Sequence, residues 1–157
     1  MTSESTSPYL FGDLLALARL SWIGEMARRL ETAGHPDYRR SDALVMRLLL
    51  RGPVPIGRLG RAAGVTRQAA RKLVSGLEQR GYARLERDQR DARELNVVLT
   101  DRGVEYALAV ADLVLRLNRE LARRVDPAHL AAADSVLRAA ITDPATLQRA
   151  SRVPPPS

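Results

Sequence analysis

Arg67, Gln68, Arg71, Lys72 and Ser75 recur at steps of one, three and four residues, the spacing that gathers side chains on one face of a helix. Their chemistry is recognition rather than bond-making. A guanidinium donates bidentately to guanine or phosphate, a Gln amide can pair with adenine, and an ammonium neutralises a phosphate. Solvation is the ordinary fate of such a face, so its surroundings must decide. On the opposite side Ala70, Leu73, Val74 and Leu77 fall at i, i+3, i+4 and i+7, an apolar stripe fit to seat the helix on a core. Thr66 is an N-cap type and Gly81 a C′ glycine, which bounds this helix at Thr66 to Arg80.

The elements that must position this face can be read outward from it. A helix around Arg58–Ala63 precedes it, with Gly64-Val65 as the turn. Gly60 and Ala70 are small where two steeply crossing backbones should approach, and Gly64 permits a tight turn at positive φ. After Gly81 the period becomes alternating. Residues 82–87 and 93–99 read as strands, with Leu95, Val97 and Leu99 on one face of the second. The charged tip Asp88-Gln89-Arg90-Asp91 joins them into a β-hairpin. A helix pair with a short turn followed by a hairpin predicts a winged helix-turn-helix.

Flanking this unit, Leu10, Leu14, Leu17, Trp22, Met26 and Leu30 predict a helix over 9–30, stopped by Gly34-His35-Pro36. Ser41 can cap a helix from Asp42 to Leu50, ended by Gly52-Pro53, and Val54-Pro55-Ile56 reads as extended. Thr100 caps a long helix to about Arg123. Asp126-Pro127, an N-cap followed by proline at N1, opens a last helix to Ile141. The expected fold is mostly α with a small β-hairpin wing. Residues 36–99 form the winged helix-turn-helix, residues 9–35 and 100–142 a helical dimerisation lobe, residues 1–8 a disordered start and 143–157 a flexible tail. The stripe Leu10, Leu14, Leu17 and the set Leu130, Ala133, Val136, Leu137, Ile141 are the candidate dimer contacts.

Composition narrows the partner. The 157 residues carry 25 basic and 18 acidic side chains, a net charge of +7. Between Arg58 and Arg102 eleven basic and six acidic residues leave +5 of that total. An arginine-rich chain can follow from GC-rich coding, but this concentration is the electrostatic footprint of phosphate binding. With no cysteine there is no disulfide, thiolate chemistry or thiol-based redox sensing, which agrees with a cytoplasmic location. Met1 to Pro8 is polar and lacks the basic start of a signal peptide, and no 18-residue apolar run exists, so no membrane span is expected. His35 and His129 are the only histidines and stand far apart, so neither metal nor other cofactor is expected. No P-loop, G-x-S-x-G or acid/base pair suggests an enzyme.

The run Leu77-Glu78-Gln79-Arg80-Gly81-Tyr82, then Arg87-Asp88-Gln89-Arg90-Asp91-Ala92-Arg93, then Leu99-Thr100-Asp101-Arg102-Gly103 resembles the MarR (multiple antibiotic resistance regulator) family. That family has a leucine and charged residues before a glycine, an Asp-x-Arg at the wing tip and a Leu-Thr-x-x-Gly opening the next helix. The match spans about residues 10–142. It implies a cytoplasmic homodimer, built on the first and last two helices, that regulates transcription from a pseudo-palindromic operator, usually as a repressor. The fourth helix would enter the major groove. Arg93, oriented by Asp91, would reach the minor groove. Many members release DNA when a small, often phenolic, ligand binds between the lobes. Two departures stand out: Gly76 interrupts the recognition helix, and Pro55 and Gly57 stand where a Ser or Thr cap is usual.

The sequence thus predicts DNA contacts from Thr66, Arg67, Gln68, Arg71, Lys72, Ser75, Arg87, Arg90, Asp91 and Arg93. Trp22, Tyr38 and Tyr106 are candidates for a pocket holding a small aromatic effector, although core or interface packing is the commoner role of such rings. The competing functions are a winged-helix module that binds protein, and an architectural DNA binder indifferent to sequence.

Overall fold

The computed structural model describes residues 10–88, 94–143 and 145. The chain divides into two units, between Arg40 and Ser41.

The first unit holds α1 (Phe11–Thr32). Asp13 accepts a hydrogen bond from the Leu10 N–H at 3.2 Å and satisfies one of the donors a helix start leaves open. At the other end Gly34 and His35 donate to the carbonyls of Glu31 and Leu30, so the helix closes at the predicted stop. The apolar positions read as one stripe separate into two groups. Met26 and Leu30 are buried, whereas Leu10, Leu14 and Leu17 are exposed.

The second unit begins with α2 (Asp42–Leu49). Ser41 occupies the N-cap position but makes no side-chain cap bond. Strand β1 (Val54–Pro55) leads directly into α3 (Ile56–Ala63), which starts two residues before the expected Arg58 with Pro55 in place of a capping side chain. Gly64, at φ 67°, makes the turn into α4 (Arg67–Gln79). Strands β2 (Ala83–Arg87) and β3 (Leu95–Leu99) pair antiparallel, and β1 joins the far side of β3, so the predicted hairpin is part of a three-stranded sheet ordered β1-β3-β2. Two helices complete the unit, α5 (Asp101–Arg124) and α6 (Pro127–Ala140).

The core lies where α5 packs on α2, α3 on α4 and the sheet beside them. Leu59, Val74, Leu77, Val97, Val110 and Leu113 are buried there, each withdrawal from water stabilising by about 1.5–3 kcal/mol. One expectation is corrected. Leu95 does not share the inner position of Val97: it is 41% exposed, while the polar Asn96 is buried. The cause is strand length. β1 pairs only with Val97 and Asn96, so Leu95, opposite Arg87, extends past the third strand.

The hairpin is anchored to α5 at one junction. Thr100 caps α5, accepting from the Gly103 N–H at 3.0 Å, and its hydroxyl donates to the Gly81 carbonyl at 2.6 Å. The Thr100 N–H donates to the Tyr82 carbonyl at 3.1 Å. Gly103 packs so tightly beneath that carbonyl that a Cβ there would overlap its oxygen.

Candidate nucleic-acid interface

The face singled out in the sequence is built by three local devices. Thr66 accepts the Ala69 N–H at 3.2 Å and sets the start of α4. A Cβ on Gly60 would come within 2.8 Å of the Ala70 Cβ, so the small pair permits the close crossing of α3 and α4. Ala70, Val74 and Leu77 are buried and Leu73 is half-buried, which fixes the rotation of α4 about its axis. Gly76 falls on the buried side of the helix, away from the candidate face, and its carbonyl accepts from Arg80 Nε at 3.1 Å.

With that rotation Arg67, Gln68, Arg71, Lys72 and Ser75 are all exposed, as is Thr66 ahead of them. Arg67 and Arg71 line a cleft of about 580 Å³ with Arg58 and Arg61 of α3, with Glu94 and with Leu95 at the start of β3. Among the described residues, none of Arg58, Arg61, Arg67, Arg71 and Lys72 has an ion-pair partner. Arg87 is exposed at the end of β2. Arg90, Asp91 and Arg93 lie outside the described residues. Nearby, Asn96 Nδ2 donates to Asp88 at 2.7 Å, while its buried Oδ1 has no partner among the described residues.

The aromatic candidates separate. Trp22 and Tyr38 are half-buried in the first unit. Tyr106 is fully buried in the second and is a core residue rather than an open wall. Its hydroxyl donates to Asp42 Oδ2 at 2.7 Å, and its ring stacks on Tyr82 with centroids 4.2 Å apart. Burial, and then the Asp42 charge, push the Tyr106 phenol well above its ordinary range, so it remains a donor.

Sequence reasoning missed the centre of this cluster. Asp42 is fully buried and takes a two-pronged guanidinium contact from Arg80, at 2.8 and 3.1 Å. The Arg80 guanidinium also lies 5.3 Å from the centre of the Tyr82 ring. The ion pair and Tyr106 tie the start of α2, the end of α4 and the first half of α5 together. Among the described residues no helix is long and apolar enough to cross a membrane, and no group of three acidic, histidine or cysteine residues is placed to hold a metal.

Comparison with known proteins bears on this arrangement. Residues 37–94 match the model of the MarR family. In fold the chain is similar to MepR of Staphylococcus aureus in a complex with DNA, with a TM-score of 0.74 and 14% identity over 85% of this chain and 97% of that one. It is similar to FabT of Streptococcus pneumoniae in complex with DNA, with a TM-score of 0.71 and 15% identity over 81% and 90%. MarR of E. coli in its apo form gives 0.62 and 17% over 86% and 99%. No curated protein sequence matches the chain. The segment that carries the helix-turn-helix and strand β2 is the one the family model matches, and over that segment the chain is similar to the MarR family.

Proposed function

We propose that this protein binds double-stranded DNA in a sequence-specific way and regulates transcription, with α4 as the reading helix. One observation carries the reading: Arg67, Gln68, Arg71, Lys72 and Ser75 are all exposed on one face of α4 while its opposite face is fixed in the core. Arg71 and Gln68 have the chemistry to read base edges, and Lys72 and Arg67 to hold phosphates. Arg87 is exposed at the end of β2, and Arg93, oriented by Asp91, is assigned to the minor groove on the strength of the family pattern, with Arg90 as a further DNA contact. The likeness to MepR and FabT, both solved with DNA, supports the same reading.

The active form is a homodimer that acts as a repressor at its operator. Its contacts are the exposed apolar residues of α1, Leu10, Leu14 and Leu17, and those of α6, where no residue is buried and Val136 and Leu137 are 50% and 42% exposed. Uncovered apolar surface of this kind marks an interface. A two-fold protein sets its reading helices about one DNA turn apart, ~34 Å, and so selects a pseudo-palindrome.

The test is a gel-shift titration at two salt concentrations with random-sequence competitor, alongside light scattering. A specific complex that survives the competitor, formed by a species of twice the 17.3 kDa chain mass, is the expected result. Binding that random DNA abolishes would make the protein an architectural binder, and no DNA binding at all would leave a protein-interaction module.

A further inference from the structure

A second cleft, of about 600 Å³, opens on the other side of α3. Leu48, Pro53 and Val54 form part of its wall, and three guanidinium groups stand around it, those of Arg51, Arg58 and Arg61. Arg51 follows the C-terminal end of α2, and none of the three has an ion-pair partner among the described residues. Among the described residues, neither α4 nor the β2–β3 hairpin contributes to it. Arg58 and Arg61 line this cleft and the cleft beside α4 as well, so the two are contiguous across the first helix of the helix-turn-helix.

We propose that this second cleft binds the sugar-phosphate backbone of duplex DNA flanking the bases that α4 reads, with Arg51, Arg58 and Arg61 as its phosphate ligands. Three like charges around one cleft repel, and nothing among the described residues relieves them. A polyanion does so, and guanidinium forks match phosphate oxygens. Contiguity selects the occupant: a duplex seated along α4 carries its backbone past Arg58 and Arg61 toward Arg51. The contacts carry no base information, so they lengthen the footprint without changing the preferred sequence.

The inference rests on the proposed DNA binding, and the test separates the two. The protein and its Arg51→Ala and Arg51→Gln variants are titrated with a short duplex holding only the preferred site and with the same site extended on both sides. Each complex is measured over a range of salt. Wild type is expected to bind the extended duplex more tightly. Both variants should lose that gain, and their salt dependence should be shallower by about 0.9 in log–log slope for each phosphate contact removed. The base preference found by selection on randomised sites should stay unchanged, and melting temperatures should match wild type. If wild type binds but both variants keep its slope and its gain from flanking DNA, the cleft takes no phosphate. Altered base preference in both variants would overturn the assignment equally, because backbone contacts carry no sequence. A wild type that binds no duplex removes the proposed function and this inference with it.

Discussion

Arg80 and Arg71 stand nine residues apart on and just beyond the same helix, yet the protein treats them in opposite ways. The Arg80 side chain is 9% exposed, forked onto Asp42, bonded to the Gly76 carbonyl and placed over Tyr82. Arg71 is exposed and has no ion-pair partner among the described residues. Elsewhere, Glu25 of α1 accepts from Arg28 and then Arg29, which holds its carboxyl down at about 2. A guanidinium satisfied inside the chain contributes to folding and is lost to recognition. One left without a partner contributes little to folding and keeps its charge for a ligand. The contrast separates the arginines that hold this molecule together from those that define its outward chemistry.

The contrast is most exposed to refutation at its buried end. Arg80→Ala leaves the Asp42 carboxylate without its counter-charge, and is expected to destabilise by about 3–5 kcal/mol in urea unfolding. A loss below about 1 kcal/mol would mean that the pair is solvated and that the distinction fails. Arg71→Ala and Gln68→Ala should do the reverse. Each should cost about 1–3 kcal/mol of DNA affinity per half-site and relax the preference at defined positions, while the unfolding midpoint stays put. A shifted midpoint with unchanged base preference would assign these side chains to packing. Arg93→Ala, by contrast, should weaken binding to many sequences alike, because minor-groove readout is degenerate.

Tyr106→Phe removes one hydrogen bond to buried Asp42 without creating a cavity, and should cost about 1.5 kcal/mol. It also has a pH signature. The folded phenol lies above its ordinary value of 10.0, so its contribution is fully present below that value and declines as pH rises beyond it. Stability measured from pH 9 to 11 should therefore fall less steeply in Tyr106→Phe than in wild type, and parallel curves would show that neither burial nor Asp42 raises the phenol. The smallest effect is expected at Arg84, whose pair with Glu86 is roughly half exposed on both sides. Arg84→Ala should change stability by less than about 0.5 kcal/mol. A larger loss would show that exposure is a poor guide to an arginine's role here.

What could be read from the sequence was what local chemistry determines. Thr66, Thr100 and Asp126 cap the helices they were expected to cap, because a capping side chain bonds backbone two or three residues away. The outer face of α4 was legible because its inner face repeats at helical spacing. Leu95 was misplaced because alternation assigns a side of the strand but not where the neighbouring strand ends, and a two-residue β1 leaves almost no pattern. The Asp42 cluster was invisible for a different reason. Arg80 and Tyr106 lie 38 and 64 positions from Asp42, and no periodicity links a charge at a helix start to a charge past the end of another helix. Arg71, Lys72 and Arg84 are cations close to Arg80 in the sequence, and only packing distinguishes the one that goes inside.

The junction of Thr100, Gly81, Tyr82 and Gly103 has a mechanical meaning. Strand β3 runs into α5 with Thr100 as the only connecting residue, and the glycine seated under the Tyr82 carbonyl removes the clearance that a sliding joint would need. The root of the hairpin and the first turn of α5 are therefore one solid piece. α5 has 24 residues, a rod roughly 36 Å long. Tilting its far end by a few ångströms must swing the hairpin through a proportionate angle, as a tiller turns a rudder fixed to the same shaft.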